Sequence, residues 1–153
     1  HYSLSAWFNI NPQPPNTSAA YMRYTSILNY GNKPNVQYNG EKNSLRVITS
    51  LDDKNGEKLN EVEIFETKNI AFQKWNNIVI NYDGGDMDVF LNGELVGSKP
   101  GIAPYMSYEN VSVGEINGIH GGICNVKYYN HIISKKDIKL TYKMLRDKNI
   151  PNV

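Results

Sequence analysis

From Tyr2 to Asn130 apolar residues return at every second position, and short turn dipeptides interrupt them. In "YSLSAWFNI" the residues Leu4, Ala6, Phe8 and Ile10 share one face while Ser3, Ser5, Trp7 and Asn9 share the other, the period of a half-buried strand. The same alternation runs through "TSILNY", "VQYNG", "SLRVITSL", "NEVEIFE", "WNNIVINY", "DMDVFLNG", "VSVGEI" and "GICNVKYYN". Asn39-Gly40, Asn55-Gly56, Asn92-Gly93 and Asn117-Gly118 punctuate these runs, and Gly84-Gly85 separates two of them directly. Asn and Gly tolerate the positive φ of tight hairpin turns, so consecutive runs should pair antiparallel. The expectation is an all-β chain, a two-sheet antiparallel jelly-roll β-sandwich.

Two segments depart from this period. "NPQPPNTSAAY" is a surface loop, because its prolines cannot donate to a ladder. In "SKKDIKLTYKMLRDKNIP" the period lengthens to that of a helix, placed at residues 134–149. Ser134 can cap it, Asp137 sits near the positive end of its dipole, and Ile138, Tyr142 and Leu145 fall near one face. Lys139, Lys143 and Arg146 then form the solvated side, and Pro151 stops the helix.

At 153 residues the chain fits a single domain, 1–153, which buries roughly two-thirds of the surface its unfolded form exposes. Its 16 Lys and Arg nearly cancel 15 Asp and Glu, which leaves no broad field for phosphates or an anionic membrane and argues against nucleic acid as a partner. No run reaches the roughly 20 apolar residues of a membrane span. The lone Cys124 excludes an intramolecular disulfide and leaves the compartment open. Because His1 is already in strand-like alternation, without an initiator Met or signal peptide, a trimmed fragment with its first strand missing is expected.

"WNNIVINYDGGDMDVFLNGELVGS" (Trp75 to Ser98), followed by "VGEINGIHGGICNVKYYNHIISKKDI" (Val113 to Ile138), resembles laminin G-like domains of the concanavalin A-like lectin/glucanase superfamily. The shared pattern is a Trp opening a strand, a Tyr-Asp-Gly turn, a strand ending in an Asn-Gly hairpin, and a late Gly-x-Ile-Asp-Asp-Val-Arg-x-Tyr-Asn strand leading to Leu-Ser and a short helix. "YSLSAWFNI" is similar to that family's first well-marked strand. "ILNYGNKP", "KWNNIVINYDGG" and "LNGELV" are further similar to versions of this domain encoded by large DNA viruses. The resemblance implies a jelly roll and, for the narrower likeness, a virion association. It departs at Cys124-Asn125, where the family carries Asp-Asp.

Hydrolases of that superfamily carry a Glu-x-Asp-x-Glu motif, sometimes with one extra residue, which makes "EVEIFE" a candidate. Retaining glycosidases need two carboxylates about 5–5.5 Å apart, and Glu61 and Glu63, two strand steps apart, share a face. Glu66 projects to the opposite face of a regular strand and joins them only through a β-bulge at Ile64-Phe65. Against catalysis, Glu63 stands where the hydrolases have Asp, and their preceding Trp-Pro and Gly context is missing. The expectation is therefore no enzyme, with Val62 and Ile64 inward and the glutamates in water.

Asp83, Asp86 and Asp88, or Asp52, Asp53 and Glu57, could offer hard oxygen ligands to calcium, but neither set has EF-hand spacing. No metal or other cofactor is expected to be required. His1, His120 and His131 lack metal-ligand spacing, and no nucleophilic elbow is present. Eleven tyrosines, in contrast, suit sugar recognition, since a ring with a polar tip stacks on a pyranose while Asn side chains bond its hydroxyls. The candidate carbohydrate-binding residues are Tyr105, Tyr108 and Asn110 of "PYMSYEN", together with Trp7. The functional expectation is a non-catalytic recognition module, extracellular or virion-associated, that binds a glycan or glycoprotein. A structural role in contact with other coat proteins is the alternative.

Overall fold

The computed structural model describes residues 1–14, 19–51, 60–68, 70–104 and 108–148. Among these residues ten strands and one α-helix follow in chain order, besides a 3-10 turn at Ala19–Tyr21: β1 Tyr2–Ile10, β2 Tyr24–Tyr30, β3 Asn35–Asn39, β4 Ser44–Leu51, β5 Asn60–Lys68, β6 Asn76–Asp83, β7 Asp86–Leu91, β8 Glu94–Lys99, β9 Val111–Val113, β10 Gly121–Tyr129 and α1 Lys135–Leu145. They form two antiparallel five-stranded sheets, one in the order β10-β1-β6-β7-β8 and the other β5-β4-β3-β2-β9. The all-β sandwich with a short C-terminal helix is thus the observed fold.

Period two explains the core. Leu4, Ala6, Phe8 and Ile10 of β1 are all buried, and Phe8 packs with Ile78, Ile80, Met87 and Val89 of its own sheet against Val36, Tyr38, Leu45 and Val47 of the other. Hairpins turn where the dipeptides stand: Asn92 and Gly93 both have positive φ, at 53° and 82°, between β7 and β8. One strand, β8, carries no period-two signal, because it is an edge strand with most of its residues exposed. Gly97 within it permits close approach of the sheets, since a Cβ there would stand 3.0 Å from Phe65 Cβ and 3.3 Å from the carbonyl oxygen of Ile64. Lys99 Nζ donates to the Glu63 carbonyl at 3.0 Å along the same side.

The first sheet is covered on both faces, which changes the reading of β1. Ser134 caps α1 by accepting from the Asp137 amide at 3.1 Å and donating to its carboxylate at 2.7 Å. Ile138 then packs on Val79 and Phe90, on the outer face of β6 and β7. The segment leading into the helix is pinned by polar groups: Ser3 Oγ donates to the His131 carbonyl at 2.8 Å, and Asn81 Nδ2 donates to that of Ile133 at 2.8 Å. Ser3 and Trp7, on the side of β1 that the alternation marks as polar, are therefore buried.

Candidate functional site

Antiparallel pairing brings the start of β1 and the ends of β2, β6 and β10 to one rim, and each contributes a tyrosine there. The Tyr2 ring lies 6.1 Å from that of Tyr128, nearly parallel at 17°, 5.7 Å from Tyr30 edge to face, and 5.3 Å from Tyr82. Tyr30 also meets Tyr128 at 5.7 Å. Tyr2 Oη donates to the Lys33 carbonyl, and the Lys33 ammonium stands 5.7 Å from the centre of the Tyr30 ring. Tyr2 and Tyr30 are buried, whereas Tyr128 is 47% exposed and Tyr108 fully exposed. Tyr108 belongs to the segment that leads into β9, whose Val111 pairs with Tyr30.

The electrostatics of this rim follow from burial. Desolvation, then the phenols of Tyr30, Tyr82 and Tyr128, push the Tyr2 hydroxyl far above the usual phenol range. Tyr128 is raised by burial first and by Tyr30 second. Burial lowers Lys33, and Glu109, whose side chain occupies the space a Cβ at Gly31 would need, works in the opposite direction. The phenols of Tyr2 and Tyr128 accordingly stay protonated at neutral pH, each able to donate as well as accept. The rim thus offers two apolar ring faces with polar tips, backed by a fixed aromatic cluster.

The four residues singled out in the sequence fall in different places. Tyr108 and Asn110 are exposed in the segment that enters β9, whose Val111 pairs with Tyr30 of this rim. Tyr105 lies outside the described residues. Trp7 is elsewhere: it is only 4% exposed, and Tyr142 of α1 stacks on it at 5.8 Å and 18°. A ring covered in this way has no free face, so the helix removes Trp7 as a platform. Tyr30 and Tyr128, missed in the sequence, carry a detectable signal: both stand at strand ends that an antiparallel meander returns to one edge.

The glutamates of β5 share a face, contrary to the expectation for a regular strand. Arg46 pairs with Glu66 and Val47 with Phe65, but Ile48 pairs with Glu63, so Ile64 is an inserted residue. The bulge keeps Val62, Ile64 and Phe65 against the core and swings Glu66 to the outer side with Glu61 and Glu63. Glu66 is held there. Ser44 Oγ and Tyr24 Oη donate to its Oε1 at 2.6 and 2.7 Å, and these hydrogen bonds hold its carboxyl below the usual range. Arg46 stacks on the Tyr24 ring at 3.7 Å and donates from Nε to Gln37 at 2.9 Å. A depressed carboxyl is a poor proton donor at neutral pH, so Glu66 is unsuited to the role of general acid.

Among the described residues no three His, Cys, Asp or Glu side chains are placed to hold a metal ion, so Asp83, Asp86 and Asp88 do not converge. Asp83 instead pairs with His1 Nδ1 at 2.5 Å. Asp52, Asp53 and Glu57 lie outside the described residues. Burial raises the Cys124 thiol, as suits a packed residue in β10. A cleft of about 230 Å³ opens between the edges of the two sheets, walled by Phe8, Ile10, Ile27, Ile119 and Ile123, and presents no open aromatic face. No described helix is long and apolar enough to cross a membrane.

A family model described as the Concanavalin A-like lectin/glucanases superfamily matches residues 1–139. No curated protein matches the sequence. Among solved structures, the receptor-binding domain of botulinum neurotoxin type G superposes with a TM-score of 0.67 at 18% identity, covering 94% of this chain and 38% of that one. A binding domain of botulinum neurotoxin DC in complex with SialylT gives 0.69 at 15% identity, covering 97% and 37%. A mutant of Trypanosoma rangeli sialidase displaying trans-sialidase activity gives 0.69 at 12% identity, covering 92% and 22%. These likenesses establish the sandwich fold, and the chain spans well under half the length of each of those structures.

Proposed function

Since the chain belongs to the laminin G-type branch of the Concanavalin A-like lectin/glucanases superfamily, we propose that it acts as one non-catalytic module, 1–153, that recognises a glycan on an extracellular or virion surface. The observation that carries this reading is the rim where the half-exposed Tyr128 rests on Tyr2 and Tyr30, with the exposed Tyr108 and Asn110 in the segment that enters β9 beside Tyr30. A pyranose stacks its C–H face on these rings, and the phenols, Asn110 and Tyr105 bond its hydroxyls. The buried Tyr2 and Tyr30 hold Tyr128 in place, so little order has to be gained on binding. One of the superposed structures is titled a receptor-binding domain and another a binding domain in complex with SialylT, which agrees with this reading. A glycan array tests it. Tyr108→Ala and Tyr128→Ala should each reduce the signal on the same glycans at least tenfold, and unchanged signal in both variants would refute the site.

The bulged β5 favours a second reading, a glycoside hydrolase whose carboxylates are Glu61, Glu63 and Glu66 on one face. Release of reducing ends from a β-glucan, abolished by Glu61→Gln, would install that reading in place of the first. Protein contacts within a coat, the remaining alternative, would leave the array blank.

A further inference from the structure

The net charge of +1 conceals a strong local imbalance. Between residues 135 and 148 six cations, Lys135, Lys136, Lys139, Lys143, Arg146 and Lys148, face only two carboxylates, Asp137 and Asp147. Helical geometry gathers five of them. At 100° per residue Lys135, Arg146, Lys139, Lys143 and Lys136 fall within an arc of about 100°, along roughly 16 Å of helix axis. Arg146 keeps helical dihedrals at the C-cap, so it continues the ridge. Glu94 confirms the alignment from the neighbouring strand, because Lys139 bonds it at 2.7 Å and Lys135 and Lys143 also lower its carboxyl. Directly beside this arc, on the side away from the sheet, stand Leu140 and Met144, which are 52% and 58% exposed. The opposite side of the helix carries Ile138 and Tyr142 into the protein.

We propose that the outer face of α1 docks on an anionic lipid surface. The cations lie against the headgroups, and Leu140 and Met144 reach the acyl boundary. A cationic ridge alone would serve a sulfated polysaccharide equally well. The adjoining aliphatic pair distinguishes the two, because a bilayer interface rewards exposed hydrocarbon and a polysaccharide chain does not. The helix lies flat on the sheet and is fixed by its cap, its Ile138 contact and the Tyr142 stack, so it is already ordered before docking. Lysines near such a surface each contribute enough to change binding about fivefold.

Vesicle co-sedimentation of the 153-residue chain tests the proposal, with phosphatidylcholine vesicles compared with vesicles containing about 30% phosphatidylserine. Binding to the anionic vesicles alone, weakened by raised salt, is expected. The variant Lys135→Gln, Lys136→Gln, Lys143→Gln leaves the Lys139–Glu94 pair in place and should bind about a hundredfold more weakly. Leu140→Ser with Met144→Ser should weaken vesicle binding severalfold without changing retention on heparin. No sedimentation with phosphatidylserine vesicles would overturn the proposal. So would equal binding by the parent and the triple variant, or heparin retention that depends on the lysines in the absence of vesicle binding.

Discussion

Replacing Tyr142 by Ala tests whether α1 is what seals the outer face of the first sheet. Tyr142 is half-buried and stacks on Trp7 at 5.8 Å, and its ring also contacts the backbone at Gly93, where an added Cβ would come within 3.1 Å of it. Complete truncation of a buried aromatic costs about 3–5 kcal/mol, and the half-buried position brings this to about 2. The stacked pair adds about 0.5–1 kcal/mol, so the expected loss is about 2–3 kcal/mol. For a chain of this size that corresponds to a fall of roughly 5–10 °C in Tm. Urea unfolding measures the loss, with the slope unchanged if only the native state is affected. Trp7 supplies an independent readout, because uncovering its indole should shift tryptophan emission to the red. A variant with parental stability and parental emission would show that Tyr142 does not cover Trp7, and Trp7 would return as a candidate platform.

Four further outcomes are expected. Ser134→Ala removes the cap of α1 and should cost about 1 kcal/mol, read as faster amide exchange in the first turn of the helix and a Tm lower by a few degrees. The lowered carboxyl of Glu66 makes it a source of acid sensitivity: because its folded value lies below the unfolded 4.5, its contribution is present above pH 4.5 and disappears as pH falls through the folded value. In Glu66→Gln the fall in Tm from pH 5.5 to pH 3 should be shallower than in the parent. Gly31→Ala should destabilise by about 1–3 kcal/mol and reduce glycan binding, because φ is +54° there and the new Cβ meets the side chain of Glu109, next to Tyr108. Millimolar calcium and a chelator should leave the melting temperature equal, since a ligand that binds the native state must raise it.

Much of the sandwich was legible because a strand's two faces are written in its own residues. Leu4, Ala6, Phe8 and Ile10 must point together whatever lies opposite, and Asn92-Gly93 states where the chain turns back. The C-terminal helix was legible for the same local reason, with a cap, a dipole partner and an apolar stripe inside one segment. Strand β8 was not, because an exposed edge strand has no apolar face to enforce alternation. The side of Glu66 hung on a bulge at Ile64-Phe65 that the sequence could name but not decide, since the insertion of Ile64 depends on how β4 pairs with β5 rather than on the residues of β5 alone. Trp7 looked open from its position opposite Phe8, but the residue that covers it comes from 135 positions further along the chain.

The sequence by itself determined the local quantities: which residues alternate, where the chain reverses, and that positive and negative charges nearly cancel. Tertiary structure decided adjacency. It brought four tyrosines from distant strands into one cluster, set Tyr142 over Trp7, and left the lysines of α1 as a ridge on the outside of a nearly neutral protein. The physical reason is that backbone period and turn chemistry act over a few residues, whereas stacking, desolvation and charge clustering act through space between segments whose separation only the folded chain fixes.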